Sequence, residues 1–214
     1  MKIFVEGGGK TDSAALRISC RKSFGVFLRK VLAQKTNCRL RIEIVVAGSR
    51  GEAFNKFCAA LAGGDQDILL LVDSEDVITN LDASTNQTLD PWQHLSSGTT
   101  PLPSRPRGVT NDHAQLMGVT METWLVADAP TLASHYGRGF AANRLPGHAQ
   151  LEQVPKQQLN NGLKAATSAT GKGAYAKGGR HDHSFELLEK LDPVPVEAKL
   201  PHAKRLFDFL RSKC

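Results

Sequence analysis

The sequence predicts an α/β fold in which a mainly parallel sheet is flanked by helices. Residues 1–5 and 68–72 are short apolar runs, broken only by Lys2, and each run is followed at once by acidic residues. Short apolar runs of this kind are typical of buried strands. Segments with helical spacing separate them, and this alternation is typical of parallel strands joined by crossovers. Ligands of such sheets bind beyond the carboxyl ends of the strands.

The elements of the amino-terminal part follow from periodicity and turn signals. Apolar residues from Leu16 to Leu32 recur at helical spacing, and Asp12 or Ser13 is placed to cap this helix. Gly48-Ser49 introduces a second helix, which Gly63-Gly64 ends. In chain order, we expect a strand, a helix, a strand, a helix and a strand over residues 1–6, 14–35, 39–47, 50–62 and 67–73.

The rest of the chain is richer in turn signals. Asp90-Pro91 predicts the start of a short helix, with Asp90 as its cap. We expect a fourth strand over 113–121, then helices over 122–136 (interrupted at Pro130), 155–167, 182–191 and 201–212. The predicted organisation is a core of residues 1–137 and a small basic helical extension, residues 138–214, packed on that core.

Composition favours a globular protein without a membrane span. The chain has 214 residues, 41% of them hydrophobic, which suffices for a sizeable core. It contains no apolar run long enough to cross a bilayer, and we expect no signal peptide. We expect the cysteines to be thiols rather than disulfides, and therefore a reducing, cytoplasmic location; they are Cys20, Cys38, Cys58 and Cys214.

Charge is unevenly distributed along the chain. Residues 57–104 contain no Lys or Arg but seven acids, whereas residues 138–180 contain seven bases and one acid. An acidic pole beside a basic segment suits a metal site next to a polyanion. A basic, solvated loop region is the alternative interpretation.

Acidic residues at the ends of predicted strands are candidate metal ligands. Asp73 and Glu75 project to the same side of an extended chain, and a divalent cation relieves the repulsion between them. Oxygen ligands of this kind suit Mg²⁺ or Mn²⁺. The predicted ligands are Glu6, Asp73, Glu75, Asp76 and Glu122. Alternatively, these acids cap helices and interact with helix dipoles.

Other motifs are weaker. Gly7-Gly8-Gly9-Lys10-Thr11 lacks the first glycine of an ATP-binding phosphate loop, because Phe4 stands at that position. His181 and His183 lie two residues apart, but no Cys or His cluster supplies the further ligands of a zinc site. The basic and aromatic residues expected to bind nucleic acid are Lys10, Arg144, Lys164, Lys172, Tyr175, Lys177, Arg180 and His181, with Tyr175 stacking on a base.

Several segments together resemble Toprim-like proteins. They are Val5-Glu6-Gly7, the acidic segment after residues 68–72, a Met-Glu-x-Trp-x-x-Ala-Asp segment over 121–128, a Lys-Gly-x-Tyr-x-Lys loop, and residues 192–210. The chain is similar to a bacterial family of Toprim-like proteins often encoded beside an ABC/AAA-type ATPase. That family is related to nucleases of the overcoming-lysogenization-defect class and of phage-defence loci.

The resemblance implies metal-dependent phosphodiester chemistry and an ATPase partner. It places the first-strand Glu at Glu6 and the Asp-x-Asp motif at Asp73 and Glu75, where the second member is Glu. We therefore expect Glu6 to act as metal ligand or general acid–base, and Lys172 and Lys177 to neutralise phosphate charge. Two alternatives remain: a non-catalytic Toprim-like scaffold that binds an ATPase or nucleic acid, and a receiver-like protein phosphorylated on Asp73.

Overall fold

The structure is a computed structural model that describes residues 1–7, 13–147, 149–177 and 183–214. Within these residues the sheet has four strands, all parallel, in the order β2-β1-β3-β4. The predicted α/β fold with a parallel sheet is confirmed. The strands are β1 (Lys2–Val5), β2 (Glu43–Val46), β3 (Ile68–Val72) and β4 (Ala114–Leu116).

Helices surround this sheet and form the carboxyl-terminal part of the chain. Their bounds are α1 (Ala14–Ala33), α2 (Arg50–Ala62), α3 (Pro91–Leu95), α4 (Glu122–Ala127), α5 (Ala129–Tyr136), α6 (Lys156–Thr167), α7 (Ser184–Lys190), α8 (Pro193–Lys199) and α9 (Pro201–Ser212).

The sheet separates two apolar layers because successive side chains of a strand point to opposite faces. Ile3 and Val5 pack in the layer that contains α1, α4, α7 and α9. Phe4, between them in sequence, packs in the layer that contains α2 and α3. Both faces of the central strands are therefore buried, which explains why β3 reads as an unbroken apolar run.

Local sequence signals set several helix starts. Leu16 donates its backbone N–H to Oγ of Ser13, so Ser13 caps α1, one of the two predicted candidates. Ser49 and Glu52 form a reciprocal capping box at the start of α2. Asp90 accepts hydrogen bonds from the backbone of Trp92 and Gln93, which confirms its predicted capping of α3.

Several predicted element bounds differ from the structure; strand β2, predicted over 39–47, covers only Glu43–Val46. Strand β4 is shorter than residues 113–121, since the chain turns at Gly118 with a φ of 84°. The predicted helix over 122–136 breaks at Asp128, whose side chain caps α5. Helix α8, which contains Pro193 and Pro195, was not among the predicted helices. Both prolines lie in its first turn, where a missing N–H costs little.

A buried pair joins the carboxyl-terminal part to the preceding segments. Nδ1 of His202 lies 2.6 Å from Oε2 of Glu152, and both side chains are almost fully buried. Nε2 of the same ring accepts a 2.9 Å hydrogen bond from the backbone N–H of Thr88. Helix α9 is thereby attached to two distant segments of the chain. The domain boundary at residue 137 stays a prediction.

The cysteines do not all match the expectation of thiols. Cys38 and Cys214 form a disulfide between residues 176 positions apart, whereas Cys20 and Cys58 are thiols. The prediction was wrong for this pair because the fold brings the chain end beside the segment after α1, which spacing does not reveal. Among the described residues, no helix combines the length and apolar character needed to cross a bilayer.

Candidate metal centre

Glu6 and Asp73 meet at the carboxyl edge of the sheet. Glu6 directly follows β1 and Asp73 directly follows β3, and these strands are neighbours. The chain leaves β1 for β2 on one side and returns to β3 on the other, so the two residues flank the point where ligands bind in such sheets. The backbone N–H of Asp73 donates a 3.2 Å hydrogen bond to Oε2 of Glu6.

Glu75 completes a cluster of three carboxylates, defined here as the carboxylate site. Glu6, Asp73 and Glu75 each offer an oxygen, and these oxygens lie within 4.8 Å of one another. The backbone of Glu75 has a φ of 64°, a left-handed conformation that non-glycine residues seldom adopt. This turn brings the Glu75 side chain back toward the edge of the sheet. The predicted convergence of acids from separate strands is therefore present.

Burial makes the charged forms of the carboxylates at this site less favourable. Asp73 is 4% exposed, and its Oδ1 has no hydrogen-bond partner in the described part of the chain. Burial, with the adjacent charge of Glu6, raises the pKa of Asp73 to about 8. Burial and the charge of Glu75 also raise the pKa of Glu6. A bound cation lowers such pKa values by stabilising the charged forms. Hard oxygen donors and a buried oxygen without a partner fit Mg²⁺ or Mn²⁺.

Lys156, at the start of α6, pairs with this site. Its Nζ lies 2.7 Å from Oε2 of Glu75. Sequence reasoning counted Lys156 only as one of several bases in the basic segment. No local signal distinguishes it, because its role depends on the packing of α6 beside the end of β3.

Arg50 is a second residue that sequence reasoning missed. It is buried, and its guanidinium donates to the backbone carbonyls of Asp73 and Ser74 at 3.3 Å each. The same group contacts Thr100, and Nε2 of His94 lies 3.2 Å from the Ser74 carbonyl. Arg50 and His94 thereby fix the backbone that positions the ligands. The turn at Gly48-Ser49 predicted a helix start but gave no indication of this contact.

Asp76 is not one of the three clustered carboxylates. Its carboxylate accepts hydrogen bonds from the Thr99 hydroxyl and, at 2.8 Å, from the Thr99 backbone N–H. These bonds hold the pKa of Asp76 below its ordinary value. Asp76 therefore anchors the loop at Thr99. Its predicted role as a metal ligand receives no support from this placement.

Glu122 is the buried counter-ion of Lys177. It accepts a 2.8 Å hydrogen bond from Tyr175 Oη, a 2.8 Å bond from Lys177 Nζ and a short bond from the Thr120 hydroxyl. Burial alone would raise the pKa of Glu122, but Lys177 and these donors hold it below its ordinary value. Because its oxygens face protein donors, the structure favours a counter-ion role for Glu122 over metal ligation.

Lys177 links this buried pair to the carboxylate site. Burial opposes its charge, but the carboxylates of Glu122 and Asp73 raise the pKa of Lys177 above its ordinary value. The influence is mutual, since the Lys177 ammonium acts to lower the pKa of Asp73. Lys177 therefore lies near these acids, and its predicted role in neutralising phosphate charge stays a prediction.

The predicted nucleic-acid contacts are scattered. Tyr175 is 2% exposed, and a buried ring cannot stack on a base, so this prediction was wrong: its ring belongs to the core. Lys172 is exposed. Its charge adds to the effect of burial, which lowers the pKa of His135 to about 4. Arg144 and Lys164 are exposed. Three further predicted contacts lie outside the described residues: Lys10, Arg180 and His181.

The fold and the carboxylate site define an α/β protein with clustered acids at the carboxyl edge of a parallel sheet. The chain belongs to the family described as domain of unknown function DUF4276, whose model matches residues 5–211. No curated protein and no solved structure matches the chain significantly. The match gives no link to Toprim-like proteins or to an ATPase, so those expectations stay predictions.

Proposed function

We propose that this chain is a metal-dependent nuclease that hydrolyses phosphodiester bonds of DNA or RNA. The observation that carries the proposal is the meeting of Glu6, Asp73 and Glu75 within 4.8 Å at the edge of the sheet. The acids expected from the Toprim resemblance are the residues of this cluster. A bound Mg²⁺ or Mn²⁺ would supply Lewis-acid activation of a phosphoryl oxygen or of water.

Each residue of the site has a distinct role in this proposal. Asp73 and Glu75 would hold the cation. Burial, with the charge of Glu75, raises the pKa of Glu6 above its ordinary value, which makes this carboxyl a better proton acceptor than an ordinary glutamate. Lys177 and Lys156 place positive charge beside the carboxylates, where it would neutralise the negative charge of a phosphate. Exposed bases such as Arg144 and Lys164 would contact the rest of the polyanion.

The test is cleavage of DNA and of tRNA in the presence of Mg²⁺ or Mn²⁺. Glu6→Gln and Asp73→Asn should each reduce the rate by about 100-fold or more, because each removes a group at the reacting centre. Matched controls are Glu43→Gln and Asp67→Asn, which change an exposed carboxylate at the amino edge of the same sheet. Unchanged cleavage by a Glu6→Gln/Asp73→Asn double variant would reject the proposal.

The ion pair between Lys156 and Glu75 favours a second candidate function. An ammonium group 2.7 Å from a ligand oxygen competes with a metal ion, and a Glu replaces the second Asp of the Toprim motif. Both features suit a non-catalytic scaffold that binds nucleic acid or an ABC/AAA-type ATPase, as in a phage-defence system. Adding such an ATPase to the cleavage assay separates the two: a scaffold stays inactive, whereas a regulated nuclease is activated.

A further inference from the structure

We propose that His135, His183 and Glu186 form a second metal site, specific for a divalent transition ion such as Zn²⁺. One ligand atom from each residue lies within 4.8 Å of the other two. His135 lies in the last turn of α5, His183 directly precedes α7, and Glu186 lies in the first turn of α7. Imidazole ligands select zinc and related ions rather than Mg²⁺, so this site differs in chemistry from the carboxylate site.

The distances from Glu186 to the two imidazoles are close to those between neighbouring zinc ligands, each imidazole facing a different oxygen of the carboxylate. Nδ1 of His135 lies 3.6 Å from Oε1 of Glu186, and Nδ1 of His183 lies 3.5 Å from Oε2 of the same carboxylate. With metal–ligand bonds of about 2.0–2.1 Å, neighbouring ligands of tetrahedral zinc lie about 3.3–3.4 Å apart. Two histidines and one glutamate leave the fourth position for water, a ligand set that zinc proteins use.

Each imidazole directs Nδ1 toward Glu186 and has its second nitrogen, Nε2, buried. Nε2 of His135 and Nε2 of His183 are buried, and neither has a hydrogen-bond partner in the described ranges. Tyr136 packs edge-on against both rings and helps to shield them from water. Buried polar atoms normally have partners, and exceptions are common where an ion or water binds. In neither ring is Nε2 the nitrogen that lies 3.5–3.6 Å from Glu186, so metal coordination here would use Nδ1.

Lys190 already places a positive charge in this cluster. Its Nζ lies 3.0 Å from Nδ1 of His135 and 2.7 Å from Oε1 of Glu186. The ammonium therefore occupies a position between an imidazole nitrogen and a carboxylate oxygen, where a metal ion has the same two neighbours. The Lys190 side chain is 46% exposed, so it can move into solvent when a metal binds. Lys190 is thus a competitor whose removal should strengthen metal binding.

Sequence spacing did not predict this site because its ligands come from distant elements. From the sequence, only His181 and His183 stood out as a pair of possible ligands. His135 instead comes from α5, and Glu186 looks in sequence like an ordinary acid in the first turn of a helix. A metal here would join the end of α5 to the start of α7. The intervening chain carries Tyr175 and Lys177, which hold Glu122. Metal binding is therefore expected to stabilise the fold.

The test uses the Glu6→Gln/Asp73→Asn variant, so that any binding at the carboxylate site, and any nuclease activity, is excluded. Metal-free protein is titrated with ZnCl₂ by calorimetry and with CoCl₂ by visible absorption. We expect one equivalent of metal to bind, with the intense absorption bands of tetrahedral Co²⁺. Glu186→Gln should weaken binding by about 100-fold, and because Glu186 is half exposed, this variant should fold.

Lys190→Met removes the competing ammonium group and should therefore strengthen metal binding several-fold. His135→Ala should abolish it, with circular dichroism confirming that this variant folds. The proposal is overturned if the double variant binds no Zn²⁺ at micromolar concentrations, or if Glu186→Gln and Lys190→Met both bind as tightly as their parent. Neither outcome depends on whether the chain cleaves nucleic acid.

Discussion

Lys156 and Glu75 are 81 residues apart in sequence, yet their side chains form a 2.7 Å ion pair at the carboxylate site. We expect Lys156→Met to strengthen Mn²⁺ binding several-fold, because it removes a competing cation and leaves three carboxylates without that partner. Calorimetric titration with MnCl₂ measures this. Lys164→Met, on the same helix but exposed, is the control and should bind like the wild type. Weaker binding by Lys156→Met would contradict this account.

Lys177 stabilises the fold through its buried counter-ion. Lys177→Met leaves the charge of Glu122 uncompensated, and the free energy of unfolding should fall by about 2–3 kcal/mol. This is less than the cost for a fully buried pair, since the Lys177 side chain is 44% exposed. Urea denaturation measures the change. The double variant Lys177→Met/Glu122→Gln should recover part of the loss, and a double variant as unstable as the single one would argue against this pair.

The stability of the metal-free protein should fall as pH rises from about 4 to about 8. Asp73 has a pKa of about 8 in the fold against an ordinary value of 3.8, so only the folded state holds this proton over that interval. Stability contributed by the bound proton is fully present below the lower value and is lost as pH approaches the higher one. Thermal melts in EDTA across this range should show the decline, and Asp73→Asn should flatten it. An equal slope in both proteins would refute the assignment to Asp73.

How much the sequence could predict depended on the distance over which each signal acts. Glu6 and Asp73 follow apolar strands, and parallel strands end at one edge, so their meeting was predictable. Lys156 and Arg50 were not, because each reaches the site through helix packing that no local pattern specifies. Tyr175 illustrates the same limit: a tyrosine between lysines suggested base stacking, but its hydroxyl serves Glu122 inside the core.

The disulfide between Cys38 and Cys214 should contribute measurably to stability. It closes a loop between residues 176 positions apart, and Cys38→Ser should lower the free energy of unfolding by about 2–4 kcal/mol. Denaturation without reductant measures this, and Cys58→Ser, which removes a thiol outside the disulfide, is the control. Titration of four reactive thiols in unreduced, unfolded protein would show that the bond is not formed.

The most direct test of the central claim is the anomalous scattering of Mn²⁺ in crystals of the chain. The account predicts a peak bonded to the carboxylates of Asp73 and Glu75, with Glu6 beside it, and loss of that peak in Asp73→Asn. Absence of a peak at Asp73 and Glu75 at saturating Mn²⁺, or an unchanged peak in the variant, would contradict the proposed metal centre.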